Sequence, residues 1–157
     1  MKKRPIESLI KALNNLGMNI KSLNNDDCLP LSVSGKLIGG KTEVAGLTSQ
    51  FVSAFLLSLP LAKKDSVITV KNLNERPYME MTLEWLRGQG ISFGHYQKED
   101  LDIFEISGGR SYHAFAKEIP VDFSSLSFPL AAAVLISGEA KFKGISMDDA
   151  QGDKRLI

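Results

Sequence analysis

A single cysteine, Cys28, stands in the whole chain. One thiol excludes an internal disulfide framework and any multi-cysteine metal site, and it fits a reducing compartment. A lone Cys between Asp27 and Leu29 is read as incidental, not as a nucleophile. The two histidines, His95 and His113, are far apart and carry no metal-ligand spacing around them, so both are read as structural or exposed. An excess of charge is missing too. The formal net charge is +1, and the Lys and Arg residues are scattered, which removes the basic stripe that a nucleic-acid partner requires. Long apolar runs are absent: Phe51 to Ala62 and Phe128 to Ser137 are too short and too interrupted by Ser and Pro to span a bilayer. Met1-Lys-Lys-Arg leads into an amphipathic pattern instead of a signal-peptide core, so the chain is expected to be cytoplasmic, with no membrane partner.

What is present fits one ordinary globular domain. Hydrophobic residues make up 43% of 157 and charged residues 24%, enough for a real core under a solvated surface. Pro5 to Gly17 places Ile6, Leu9, Ile10, Leu13 and Leu16 on one helical face, between a first-turn proline and a glycine stop. Two β-like runs follow, at 19–23 and 29–34. "GGKTEVAG" predicts a short strand, and "GLTSQFVSAFLLSLPLA" a helix that is apolar on nearly every face. "SVITVKN" is β-branched and reads as a strand. Pro77 to about Leu86 predicts a helix with Tyr78, Met81, Thr82, Trp85 and Leu86 on a common stripe. "ISFGHYQ" and "LDIFEIS" form a hairpin around the polar turn "KED".

The chain also repeats itself. "RPIESLIKALNNLGMNI" at Arg4 and "RPYMEMTLEWLRGQGISF" at Arg76 share an Arg-Pro start, helical spacing, a Gly stop and a following strand, with a period of about 72 residues. "TSQFVSAFLLSLPLA" is echoed by "SSLSFPLAAAVLISG", which is followed by an expected strand in "EAKFKGI". The fold class is therefore α+β, an α/β-repeat of β-α-β-α-β-β units. One unit is complete from about 41 to 109, after the closing α-β-β of a preceding unit and before the opening β-α-β of a following one. The chain is expected to be cut from something larger at both ends.

The helix entry at Thr48-Ser49-Gln50 carries more hydrogen-bonding groups than a cap uses. One Ser or Thr satisfies an orphan amide, and extra polar groups at the mouth of an apolar helix cost desolvation. Free amides and the positive end of the helix dipole suit an anion there. The plainer alternative is an N-cap with two solvated neighbours.

In order, "KKRPIESLIKALNNLG", "GLTSQFVSAFLLSLPLA", "NERPYMEMTLEWLRGQGI", "VDFSSLSFPLAAA" and "AQGD" resemble the 3-phosphoshikimate 1-carboxyvinyltransferases, the 5-enolpyruvylshikimate-3-phosphate synthases, over essentially the whole chain. The resemblance implies two domains of repeated units that close on substrate with no metal or organic cofactor. Residues 1–121 would belong to the N-terminal-half substrate-binding domain, and 122–157 to the crossover and the start of the next domain. It implies transfer of the enolpyruvyl group of phosphoenolpyruvate to the 5-hydroxyl of shikimate 3-phosphate, through a tetrahedral intermediate. Thr48 and Ser49 match hydroxyls that hold the phosphate of shikimate 3-phosphate, Gln50 a residue lying against both substrates, Tyr78 a phosphate-contacting tyrosine, and Arg4 the arginine that grips phosphoenolpyruvate. The plainer alternatives are a core position beside Trp85 for Tyr78 and a solvated place in the Lys2-Lys3-Arg4 run for Arg4.

The family's catalytic lysine, its Asp and Glu acid-base groups and further arginines match nothing in the chain. No catalytic residue is assigned here, and the chain alone is expected to be inactive. The full-length enzyme would be a monomer, and the segment is expected to show frayed ends, a large exposed apolar patch, or self-association that covers the patch. Two departures stand out. Glu75 replaces the serine of the family's Ser-Lys-Pro-Tyr element; repulsion from a phosphate predicts that it turns outward toward Arg76, leaving Asn74 or a backbone amide to make the contact. Pro129 predicts a helix start near Phe128, with Asp122, Ser124 and Ser125 capping it. Two rival readings are a fragment of the enolpyruvyl transferase that acts on UDP-N-acetylglucosamine, which lacks a Thr-Ser-Gln-Phe helix entry, and a non-enzymatic α+β repeat module.

Overall fold

The structure is a computed structural model that describes residues 6–24, 26–136 and 138–157. Two compact units divide between His113 and Ala114.

The first unit opens with helix α1, Glu7–Asn15, and the antiparallel pair β1, Met18–Ser22, and β2, Leu31–Gly35. Asn14 ties the helix end to the ladder with both ends of its amide. Its Nδ2 donates to the Ile20 carbonyl at 3.0 Å and its Oδ1 accepts from the Ile20 amide at 2.7 Å. The complete repeat follows as β3 (Gly40–Ala45), α2 (Ser49–Ser58), β4 (Ser66–Lys71), α3 (Arg76–Gly88), β5 (Phe93–Lys98) and β6 (Leu101–Ile106). This is the β-α-β-α-β-β order expected of one unit. The sheet runs β3-β4-β6-β5, with β3 and β4 parallel and the other pairings antiparallel.

Alternation decides which face of the sheet is covered. Thr42 and Val44, then Ser66, Ile68 and Val70, then Asp102, Phe104 and Ile106 are buried, and the register sets Ile68 opposite both Thr42 and Phe104. Onto the apolar members of this face pack Ala12 and Leu16 of α1 and its C-cap, Val52, Phe55 and Leu56 of α2, and Met79, Leu83 and Leu86 of α3, forming one core. On α1 the expected stripe holds in part: Ile10 and Leu16 are buried, and Leu9 and Leu13 lie partly buried against the core.

Asp102 is the exception on that face. Its carboxylate is fully buried and accepts a two-pronged ion pair from Arg76, Nη1 to Oδ1 at 2.8 Å and Nη2 to Oδ2 at 2.7 Å. His95, on the neighbouring strand, reaches Oδ1 through Nε2 at 2.8 Å and stacks on its cross-strand partner Phe104, ring centroids 4.4 Å apart. Burial pushes the Asp102 carboxyl up, but the hydrogen bonds and charges of Arg76 and His95 outweigh it and hold it below the usual range. His95 is thus a structural residue.

In the second unit, helix α4 spans Phe123–Leu135 with Pro129 inside it. The expected start near Phe128 is corrected by one full turn and more. Asp122 accepts from the Ser124 amide at 3.0 Å, as the sequence suggested, while Phe123 and Leu126 bury on the first turn. Cap and burial together fix the start upstream, and the helix continues through the proline. Gln151 holds this end in place: its Oε1 accepts from the Phe123 amide at 2.9 Å and its Nε2 donates to the Val121 carbonyl at 2.7 Å. The strand expected in "EAKFKGI" is absent among the described residues of 138–145. A strand needs a ladder partner for its backbone groups, and no strand is described in this unit. A short 3-10 turn, Gly152–Leu156, ends the chain.

The Asp102 anchor generates a test. Its carboxyl is depressed in the folded state, so its contribution to stability is present above the unfolded carboxylate pKa, about 3.9, and disappears as pH falls through the folded value. Asp102→Asn should lower urea-measured stability at pH 7 by about 2–3 kcal/mol, less than a fully buried pair because Arg76 is partly exposed. The gap between wild type and variant should narrow only below about pH 4.

Candidate functional site

Two parallel strands place two helix N-termini at one end of the sheet. β3 and β4 run the same way, so the turns that follow Ala45 and Lys71 lie side by side and open α2 and α3 together. The turns are pinched at Gly46. Its amide donates to the Lys71 carbonyl at 2.7 Å, and its carbonyl accepts from the Asn74 amide at 2.9 Å. A Cβ on Gly46 would lie 2.6 Å from the Leu73 Cα, a backbone clash, so only glycine permits this approach.

Between α2 and α3 lies an open groove of about 500 Å³ lined by Thr48, Ser49, Gln50 and Ser53 on one side and Glu75, Tyr78, Met81, Thr82 and Trp85 on the other. Its floor is tied across the helices by the Ser53 and Thr82 hydroxyls, 2.8 Å apart. The expected site residues Thr48, Ser49, Gln50 and Tyr78 are thereby brought to one groove, although they come from different helices. Arg4 lies outside the described residues.

The triplet divides its work. Thr48, in extended backbone, is the N-cap of α2; its Oγ1 accepts from the Gln50 amide at 3.3 Å. Ser49 is buried, and both its amide, at 3.2 Å, and its hydroxyl, at 2.9 Å, donate to Oε2 of Glu75. Gln50 is exposed on the groove rim.

Glu75 therefore corrects the outward orientation predicted for it. The guanidinium expected to draw it away is engaged by Asp102, a buried carboxylate with no water to turn to. Glu75 meanwhile sits in left-handed backbone, φ 53° and ψ 43°, as the residue before α3. That geometry turns its side chain to the positive end of α2, where the Ser49 amide is an orphan donor. Nor does the Asn74 amide serve the groove, since it donates to Gly46.

Helix α3 carries two apolar faces. Met79, Leu83 and Leu86 face the core, while Tyr78, Met81 and Trp85, spaced three and four apart, face the groove. The stripe visible in the sequence is thus mainly the groove face. Met81 and Trp85 were not singled out as site residues, although α3 showed a second apolar stripe beyond the one its core needed; Ser53, on α2, carried no such signal. Asp102 offered a similar signal, a charge at a core-facing position in the alternation Asp102, Phe104, Ile106. Among the described residues no cluster of His, Cys, Asp or Glu could hold a metal ion, and no helix is long and apolar enough to cross a membrane.

The family model of EPSP synthase (3-phosphoshikimate 1-carboxyvinyltransferase) matches residues 1–157. The chain belongs to this family. It is 40% identical over 157 residues to the 3-phosphoshikimate 1-carboxyvinyltransferase of Acetivibrio thermocellus, covering 100% of this chain and 36% of that protein. To the same enzyme of Methanothrix thermoacetophila it is 42% identical over 159 residues, again 100% of this chain and 36% of the relative. It thus spans little more than a third of the length of these curated relatives. Two solved structures of EPSP synthase from Acinetobacter baumannii share the fold. One has a TM-score of 0.62 at 23% identity, over 84% of this chain and 28% of that one. The other has 0.65 at 21%, over 94% and 32%. The α+β fold expected from the repeat agrees with these neighbours, and the reading as a UDP-N-acetylglucosamine enolpyruvyl transferase fragment is not favoured.

Two substitutions test the construction of the groove. Thr48→Ala removes the cap and should lower thermal stability by about 1 kcal/mol. Gly46→Ala forces the pinched turns apart and should lower it by more than Thr48→Ala, with amide resonances shifting at Leu73 and Asn74 in a heteronuclear NMR spectrum.

Proposed function

We propose that this chain supplies part of the shikimate 3-phosphate site of an enzyme that moves the enolpyruvyl group of phosphoenolpyruvate to the 5-hydroxyl of shikimate 3-phosphate, a step in making chorismate and the aromatic amino acids. One observation carries this reading: a buried serine hydroxyl and its own backbone amide, at the N-terminus of an apolar helix, converge with Tyr78 on one open groove and already hold a carboxylate. That donor set fits an oxyanion, which a phosphoryl group presents three times over.

In this reading Ser49 and Thr48 hold the phosphate, Tyr78 contacts it from α3, and Gln50 on the rim lies between the two substrates. Arg4 is assigned to phosphoenolpyruvate by family resemblance. Residues 1–121 are placed in the N-terminal-half substrate-binding domain and 122–157 in the crossover to the next. No acid-base group in the chain is assigned to the proton transfer that addition to phosphoenolpyruvate requires, and no cofactor is invoked. The location is cytoplasmic and the full-length enzyme a monomer. Self-association of the chain itself is supported by the apolar surface of the second unit, where Phe128, Val134, Leu135 and Ile136 are exposed.

The chain alone should release no phosphate above background when both substrates are supplied, because the groups that stabilise the transition state are not among its residues. Shikimate 3-phosphate should still bind weakly, in the millimolar range, because a partial site loses contacts and preorganisation. Ser49→Ala should weaken that binding, by less than the roughly 1.5–3 kcal/mol of a hydrogen bond to a charged group, because the same hydroxyl is already bonded to Glu75 before ligand arrives; NMR titration measures it. A Ser49 amide resonance that does not move when shikimate 3-phosphate is titrated into the wild-type chain would remove the phosphate from this helix mouth.

A further inference from the structure

The groove contains its own anion. Oε2 of Glu75 takes the Ser49 amide at 3.2 Å and the Ser49 hydroxyl at 2.9 Å, the donors that an incoming phosphoryl oxygen would use. Glu75 is held there by its surroundings. Arg76, next in sequence, forks onto Asp102, so its charge faces the sheet. The left-handed backbone at Glu75, φ 53°, persists because Arg76 is anchored on one side while the Asn74 amide is bonded to Gly46 on the other. Glu75 is also solvent-exposed, so its side chain has room to leave the groove.

Resting on the phosphate site described under Proposed function, we propose that Glu75 is an internal competitor that occupies the anion position at the mouth of α2 and must swing out before a phosphate monoester can bind. A carboxylate and a phosphate dianion cannot share the Ser49 donors, since like charges at contact distance repel strongly. Binding is then an exchange of one anion for another, and Glu75 sets how much negative charge the groove accepts. A neutral side chain at this position lets phosphate in without the exchange. The consequence is a weaker resting affinity for phosphate and a groove whose Ser49 donors stay satisfied when no ligand is present.

The test is a titration of the isotope-labelled 157-residue chain with shikimate 3-phosphate and, separately, inorganic phosphate, following the Ser49 amide and the Glu75 side-chain carboxyl carbon by NMR. Three chains are compared: wild type, Glu75→Gln, which keeps the length and removes the charge, and Glu75→Gly, which removes the group and favours left-handed backbone. In wild type the Ser49 and Glu75 signals should move with one midpoint. Affinity should tighten at least about tenfold in Glu75→Gly and by a smaller factor in Glu75→Gln. If Glu75→Gly fails to fold, the Glu75→Gln result decides. Equal or weaker affinity in the folded variants, with the Ser49 amide still saturating, overturns the competitor and leaves the phosphate site standing. A Ser49 amide that responds to neither ligand in any chain overturns both.

Discussion

A single buried carboxylate organises the end of the sheet where α2 and α3 begin. Asp102 sits on the covered face of the sheet among apolar neighbours, where an unpaired charge is untenable. Its demand for partners pulls in Arg76 from the first turn of α3 and His95 from the adjacent strand. Two carboxylates, Asp102 and Glu75, flank Arg76 in sequence or space, and only one takes its guanidinium. Asp102 wins because it is dry and offers both oxygens to a planar fork, whereas Glu75 has solvent as an alternative. The start of α3 is thereby fastened to the sheet, and Glu75 is released to the neighbouring helix mouth.

Parallel pairing supplies the rest of the site. β3 and β4 run in the same direction, and each is followed by a helix, so the helices begin at the same end of the sheet. Two positive helix ends are placed together, and the close approach at Gly46 brings the turns within backbone hydrogen-bonding distance. An anion between them answers both dipoles, and Glu75 is the one the chain itself provides. The polar residues at the entry of α2 are consistent with this: one caps, one holds the anion, and one stands at the rim.

The apolar residues of α2 and α3 then divide between core and groove. On α3 the division is clean, with Leu83 and Leu86 inward and Met81 and Trp85 toward the groove. On α2, Val52, Phe55 and Leu56 enter the core while Leu57 is exposed. An apolar helix is thus less buried here than its composition suggests. The same holds more strongly for α4, whose later turns expose Val134 and Leu135.

The order and type of the elements were legible from periodicity and punctuation, because the α1 stripe, the β-branched run at 66–71 and the hairpin around Glu99 and Asp100 each obey a local rule. So was the repeat, from the two Arg-Pro helices. The sequence could also mark Thr48, Ser49, Gln50 and Tyr78 as belonging together, by their resemblance to a family pattern. It could not place the carboxylates. Whether Glu75 turns outward or inward depends on which acid captures Arg76, and that contest is decided by a strand 26 residues away in sequence. Nor could it tell the groove face of α3 from its core face, since both are apolar at helical spacing. The strand expected at 139–145 failed for a related reason. Its residues suit β structure, but a strand exists only where a neighbour offers the other half of the ladder. Local preference wrote the elements of this protein, and competition between distant partners for the same charge, face or ladder decided how they were used.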